Sequence, residues 1–349
     1  MVTGSSAKNP MPSWVEPQLA TLTRERFSDP RWIFERKLDG ERCLAFVAQS
    51  GVGQSGADRS GVRLMRRNQL DITSRFPEIA DALADQRHGD LIVDGEVVAF
   101  EGTQTRFERL QQRLGLASPS PELVAAVPVY YYVFDVMYAG GRETRTMPLA
   151  DRKQLLQRSL DFKDPLRFTE HRARDGEAFS KQACADGWEG LIAKRADAPY
   201  VAGRSKYWLK FKCENSQEFV IGGYTDPQRS RVGFGALLLG YFDEAGQLVY
   251  AGKVGTGFDT RTLLDLHGKL ARLEQDRPAF GRGRVPGKGV HWVRPELVGQ
   301  VGFTEWTRDG ELRHPRYQGL RDDKSASEVV RETGDSSRGG AREPRDRSV

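Results

Sequence analysis

Glu35, Lys37 and Asp39 stand two apart in the run Glu35-Arg36-Lys37-Leu38-Asp39-Gly40-Glu41-Arg42. As a strand ending in a turn at Gly40, this run points the three side chains one way, since successive residues of a strand alternate sides. A lysine between two carboxylates can be a solvated strand face whose screened ion pairs are worth little. Apolar residues on both sides, Trp32 to Phe34 and Cys43 to Val47, argue instead for a strand in a core. There a lysine loses hydration and its pKa moves down toward nucleophilic use. Taken alone, the segment favours the solvated face; what decides the matter lies further along the chain.

Asp94 and Glu96 interrupt the β-rich run LIVDGEVVAF, and buried strands rarely carry two acids without a partner. Glu189 and Lys194 bracket the short apolar strand of WEGLIAKR. Trp208, Lys210 and Lys212 alternate with Leu209 and Phe211. Two lysines so placed repel each other unless an anion lies between them, although a lysine-blunted edge strand is the better reading of that strand by itself. Gathered together, Glu35, Lys37, Arg42, Arg67, Glu96, Phe134, Glu189, Lys194, Lys210, Lys212, Arg321 and Lys324 describe a pocket for an anionic ligand with a divalent metal. There is no Walker A loop, catalytic triad or histidine base, so phosphates would be held by side chains. A lysine attacking phosphorus fits best, and that attack needs an uncharged amine. Lys194, Lys210, Lys212 and the metal are expected to depress the Lys37 pKa and to neutralise the phosphates.

The elements that position these residues follow from the patterning. Order is expected to begin near Trp14, after a flexible stretch 1–13. Gly51-Val52-Gly53-Gln54-Ser55-Gly56 is a literal GxGxxG, but a strand (Val62 to Met65) follows it rather than a helix, so 50–61 reads as a long hairpin tip. Helices are expected over 78–86 with Pro77 at its start, over 105–114, over 151–160, and over 175–186 closed by Gly187. Past Cys213, short strands with Gly and Asp-Gly turns surround one helix at 260–274, which suggests a small oligonucleotide-binding (OB) barrel. The expected fold is α+β: a domain of antiparallel sheets with flanking helices over 14–213, an OB-fold domain over 214–330, and a disordered tail over 331–349.

At 349 residues the chain can hold two cores. Its 53 basic and 48 acidic residues leave a formal charge of +5, compatible with a polyanion partner without proving one. Cys43, Cys184 and Cys213 are few and far apart, so no disulfide is expected and a reducing compartment is. The five histidines lack metal-ligand spacing. No apolar run reaches membrane-span length and no signal core opens the chain, which implies a soluble, cytosolic protein.

Lys37-Leu38-Asp39-Gly40-Glu41-Arg42 resembles KxDGxR, the first motif of the covalent nucleotidyltransferases, which comprise ATP-dependent DNA ligases, RNA ligases and mRNA capping enzymes. The ordered series that follows carries the resemblance further: DGE at 94–96, FDVMY at 134–138, EGLIAK at 189–194, WLKFK at 208–212 and RDDK at 321–324. The flanking runs WVEPQLATL, RFERLQQRL, EFVIGGYT, YAGKVGTGF and FTEWTRDGELRHPRY are similar to the ligase domain of the bacterial end-joining ligase LigD. The similarity spans roughly residues 14 to 330, and with no room for a polymerase or phosphoesterase module it implies a stand-alone ligase.

The resemblance implies an adenylation domain followed by the OB domain, and a role for each position. Lys37 would carry AMP, with Asp39, Lys210 and Lys212 also serving the chemistry. Glu35 would lie beside the adenine and Phe134 would stack on it. Arg42 and Glu96 would contact ribose or help hold Mg²⁺ or Mn²⁺, and Glu189 would ligate the ion. Lys194, Lys210 and Lys212 would grip the α-phosphate, Arg67 would read the DNA 5′-phosphate, and Arg321, Asp323 and Lys324 would orient pyrophosphate. ATP would be the nucleotide and nicked or double-strand-ended DNA the substrate. A Ku-like end-binding protein and a separate repair polymerase are implied partners, with a monomer working in the bacterial cytosol or nucleoid. A hinge is expected near Cys213 to Gln217. The alternatives are an RNA ligase or capping-type enzyme, or a DNA-end-binding protein without chemistry.

Overall fold

A computed structural model describes residues 9–48, 61–86, 89–228 and 230–332. Apart from Gly61, the 50–61 hairpin tip lies outside these residues, as does the tail from 333 onward.

Among the described residues, two of the three longest strands are Leu91–Glu101 and Val129–Ala139, runs of β-branched and aromatic residues that suit a pleated surface covered on both sides. They pair antiparallel at the centre of a sheet that also contains Glu41–Val47 and Val62–Met65. One face buries Ala45, Val93, Val97 and Val133 against Ile79, Leu83, Leu110 and Leu156 of three helices. Those helices span Pro77–Ala84, Phe107–Leu114 and Leu149–Ser159. The other face, through Leu44, Phe46, Ile92, Phe134 and Met137, packs on Trp208 from a second sheet and on Tyr200 from the loop that leads into that strand. The site lies where the two sheets meet.

That second sheet orders its strands as Gln18–Leu22, Gly203–Lys212, Gly190–Arg195, Trp32–Arg36 and His171–Ala173. Its register brings distant motifs together. Glu35 is opposite Ile192, Lys194 opposite Trp208, and Gly190 opposite Lys212. In the C-terminal sheet, the long strand Asn215–Thr225 pairs with Val298–Phe303 along its first half and with Leu237–Phe242 along its second. The helix Thr260–Ala271 buries Leu263, Leu266 and Leu270 in the core beneath. The architecture is α+β, an N-terminal domain of two facing sheets with flanking helices followed by a C-terminal barrel of the OB type.

Several expectations are corrected. The strand ends at Arg36, so Lys37 and Asp39 stand on the loop after it. Lys37 is still tied to the sheet, its backbone N–H donating to the Gly190 carbonyl at 2.9 Å. Gly40 is required by close approach rather than by turn conformation, because a Cβ there would collide with the Val97 carbonyl. Order begins before Trp14: Asn9 donates its N–H to the Gly141 carbonyl at 2.9 Å, and Met11 packs on the core. At the other end the chain is placed through Glu332. A helix missed by the periodicity, Pro121–Ala126, is capped by Ser120. Cys184 and Cys213 form a disulfide across Cα atoms 5.3 Å apart, where none was expected from the sequence. The fold brings the end of the Gly176–Ala185 helix against the end of the Gly203–Lys212 strand, a proximity no spacing rule reveals, and the cysteine count no longer argues for a reducing compartment. Among the described residues no helix is long and apolar enough to cross a membrane.

Candidate active site

The cleft between the sheets is lined by Glu35, Lys37, Arg42, Glu96, Phe134 and Lys194, with Lys210, Arg321 and Lys324 closing it from the other side. Every residue singled out from the sequence borders this cleft or the smaller pocket adjoining it, where Lys37, Asp39, Glu96, Glu189 and Lys212 meet.

Lys37 is flanked by acids, not by the cations expected. Its Nζ lies 2.6 Å from Glu189 Oε2. Burial pulls its pKa down, but Glu189, Asp39 and Glu96 outweigh burial and hold it above the ordinary lysine value. The expectation of an amine kept neutral by positive neighbours is therefore reversed for the protein without ligand. Asp39 accepts the Phe107 N–H at 3.1 Å, which fixes the loop to the start of the Phe107–Leu114 helix and places a negative charge where the helix dipole favours it.

Positive charge is concentrated one strand away. Lys194, fully buried, reaches Glu35 Oε2 at 2.6 Å and lies 4.0 Å from the centre of the Phe134 ring. Burial and neighbouring Lys153 lower its pKa to about 8 against the pull of Glu35. Lys210 is likewise lowered to about 8, by burial and by Lys212. Arg42 forms a two-pronged pair with Asp94, both contacts at 2.5 Å, and its guanidinium sits 4.6 Å from the Phe134 centroid. Phe134 thus has two cations over its ring and Trp208 in an edge contact with it. Glu96 is raised to about 7 because burial outweighs the attraction of Arg42, Lys37 and Arg321.

The C-terminal barrel contributes directly. Arg321 clasps Asp323 with two hydrogen bonds of 2.8 Å and lies over the Phe107 ring, while Lys324 pairs with Glu218 at 3.0 Å. Arg67 pairs with Glu328. Lys210 and Lys212 share the carboxylate of Glu332.

Three functional-looking residues escaped the sequence reading, and a fourth, Asp94, was noted there without its partner. Lys153 donates to Glu35 Oε1 at 2.8 Å, so that Glu35 is held between two buried lysines. Arg66 contacts Glu41 and reaches the Asp322 carbonyl at 3.2 Å. Asp94 partners Arg42, and Glu332 occupies the lysine pair. Asp94, inside the DGE run, is the one whose pairing the sequence hinted at, since an acid mid-strand demands a partner.

A cleft that joins one lysine set among carboxylates, a crowd of cations and an aromatic ring suits a nucleotide and its phosphates, and the family comparison agrees. Residues 17–212 match the ATP dependent DNA ligase domain, and residues 230–324 match the ATP dependent DNA ligase C terminal region. The chain belongs to the ATP-dependent DNA ligase family. It is 37% identical over 338 residues to the multifunctional non-homologous end joining protein LigD of Pseudomonas aeruginosa, covering 94% of this chain and 38% of that one. The LigD of Mycobacterium tuberculosis is 36% identical over 328 residues, covering 90% of this chain and 40% of the relative. The chain therefore spans about two-fifths of the length of these relatives. Among solved structures, a mycobacterial DNA ligase D complexed with ATP and MES superposes with a TM-score of 0.63 at 33% identity, covering 91% of this chain and 98% of that one.

Proposed function

We propose that this chain is a DNA ligase that seals 5′-phosphate/3′-hydroxyl breaks using ATP, with Lys37 as the residue that carries AMP. The observation that carries the reading is the placement of Lys37 in the lining of a cleft that also holds Lys194 and Lys210, with Lys212 in the pocket adjoining it. In the first step Lys37 Nζ attacks the α-phosphorus. An N–P bond forms, the P–O bond to pyrophosphate breaks, and pyrophosphate leaves with the electron pair. The proton Lys37 shares with Glu189 must depart before the nitrogen lone pair is free. In the second step AMP passes to the DNA 5′-phosphate, exchanging the N–P bond for a P–O–P bond. In the third the 3′-hydroxyl oxygen attacks the DNA phosphorus, loses its proton, and AMP leaves. Lysines and arginines around the cleft offset charge in each in-line displacement, where positioning and electrostatics supply most of the rate.

Phe134 is assigned to the base, Glu35 to its edge, Arg42 to the ribose side, and Arg67 to the DNA 5′-phosphate. Arg321, Asp323 and Lys324 are assigned to pyrophosphate. Glu96 and Glu189 would hold the divalent ion: two carboxylates facing one polar pocket suit a hard cation that keeps several waters and takes phosphate oxygens. When bound, Mg²⁺ or Mn²⁺ would supply positive charge to the phosphates and compete with Lys37 for Glu189.

The names of the LigD relatives, which carry non-homologous end joining, support an end-joining setting; within it we propose a Ku-like end binder and a separate polymerase as partners, a bacterial cytoplasm, and a monomeric ligase. We place the boundary between the domains at 213/214. The pivot between them falls just beyond Cys213, because the disulfide fastens that residue to the N-terminal body. Incubation with α-labelled ATP and metal tests the core of the reading. Wild type should become labelled and Lys37→Ala should not; labelling by GTP in place of ATP would reassign the chain to capping-type chemistry.

A further inference from the structure

The last described residues return to the cleft. Val329 is buried against Val220, Leu238 and Leu248, and its carbonyl accepts the Phe242 N–H at 2.8 Å. Gln217, itself buried, grips the segment twice: its Nε2 donates to the Val330 carbonyl at 3.0 Å, and its Oε1 accepts the Glu332 N–H at 2.9 Å. So held, Glu332 places one carboxylate oxygen 2.6 Å from Lys210 Nζ and the other 3.2 Å from Lys212 Nζ. Four residues earlier, Glu328 pairs with Arg67.

Both acids of this strap therefore sit on cations assigned above to phosphate: Lys210 and Lys212 to the nucleotide, Arg67 to DNA. A carboxylate across two lysines offers them two oxygens, as a phosphate would. It also removes the repulsion between two ammonium groups on one strand face, and so holds the lysines in a phosphate-ready arrangement. Glu218, the other acid near the pair, is engaged by Lys324 and belongs to a central strand. Only the strap, short and tied by Val329 and Ala326, by Arg331 over the Trp306 ring and by a few hydrogen bonds, can withdraw without unmaking a sheet.

Resting on the ligase reading, we infer that residues 325–332 form an internal phosphate mimic, in which Glu332 fills the nucleotide phosphate position and Glu328 the DNA phosphate position until substrate displaces them. Each site is then open for only a fraction of the time, and its apparent affinity is reduced by that fraction.

The test uses the full chain with three variants, and calorimetric binding of ATP·Mg²⁺ is measured beside AMP labelling and sealing of a pre-adenylated nick. Glu332→Gln should tighten ATP binding and lower half-saturation for labelling by about threefold or more, with the saturated rate nearly unchanged. Gln217→Ala keeps both charges but loosens the strap, and should shift ATP binding the same way by a smaller factor. Glu328→Gln should lower half-saturation for the nicked DNA and leave ATP binding alone. An ATP affinity that is unchanged or weaker in Glu332→Gln overturns the inference, as does a Gln217→Ala variant identical to wild type, which would reduce the effect to net charge. If wild type binds ATP but takes no label, the ligase reading fails instead, and the binding arm still decides the strap.

Discussion

Glu189 Oε2 lies 2.6 Å from Lys37 Nζ, so the nucleophile of the proposed reaction rests as an ammonium in an ion pair. Its pKa is held up by acids rather than depressed by lysines, and activation must come with the ligands that disturb this pair. The rate of AMP labelling at saturating metal should therefore climb with pH by close to tenfold per unit while Lys37 remains mostly charged. In Glu189→Gln one raising influence is gone, and the rising limb should move to lower pH even if its ceiling drops. Superimposable limbs would show that Glu189 does not set the charge on Lys37.

Phe134 offers the ring on which a base can stack, and base–aromatic stacking is worth about 1–3 kcal/mol by alanine substitution. Phe134→Ala should raise the ATP concentration needed for labelling by roughly tenfold to a hundredfold, while sealing of pre-adenylated DNA suffers less. Equal losses in the two assays would reject the stacking role and leave Phe134 as packing for Trp208 and Arg42.

Asp94 is wholly buried, is bound to Arg42 through both oxygens, and also accepts the Tyr200 hydroxyl at 2.7 Å. Asp94→Asn leaves the guanidinium without its counter-charge, a change that costs about 3–5 kcal/mol when a buried pair is broken from one side. Urea unfolding should show the midpoint falling with little change in slope; a loss under about 1 kcal/mol would mean that solvent or another acid takes over the pairing.

Glu96, raised to about 7, binds its proton more tightly folded than unfolded. Its contribution to stability is full below the unfolded pKa near 4.3 and is lost as pH rises through about 7. Without metal, wild type should lose stability relative to Glu96→Gln across that window, with a slope no steeper than about 1.4 kcal/mol per pH unit. Parallel pH–stability curves for the two proteins would sink the assignment.

The sequence made the positions of the site legible but not their pairings. Lys37, Glu96, Glu189, Lys194, Lys210 and Lys212 stand out because charged residues at the ends of apolar strands are costly unless used. Which charge meets which depends on strand register and inter-sheet packing, neither of which leaves a local signature. Lys153 shows the limit well: within LADRKQLLQRS it reads as one cation on a charged helix face, yet its ammonium is buried on Glu35. The reversed environment of Lys37 has the same origin, since the loop after Arg36 turns the side chain toward Glu189 while the lysines stay on their own strand. Glu332 was hidden by its context, a polar stretch whose composition pointed to disorder.

Arg66 ends the strand Val62–Met65 with Glu41 of the adjoining strand beside it, and across the domain junction it holds the carbonyl and carboxylate of Asp322 at 3.2 and 3.5 Å. If the barrel swings away between steps, Arg66 gives up Asp322 but retains Glu41. The hook then leaves its eye behind, and the buried guanidinium of Arg66 keeps a counter-charge on its own domain. At this one contact, repeated parting and docking can accompany every turnover without leaving the guanidinium bare.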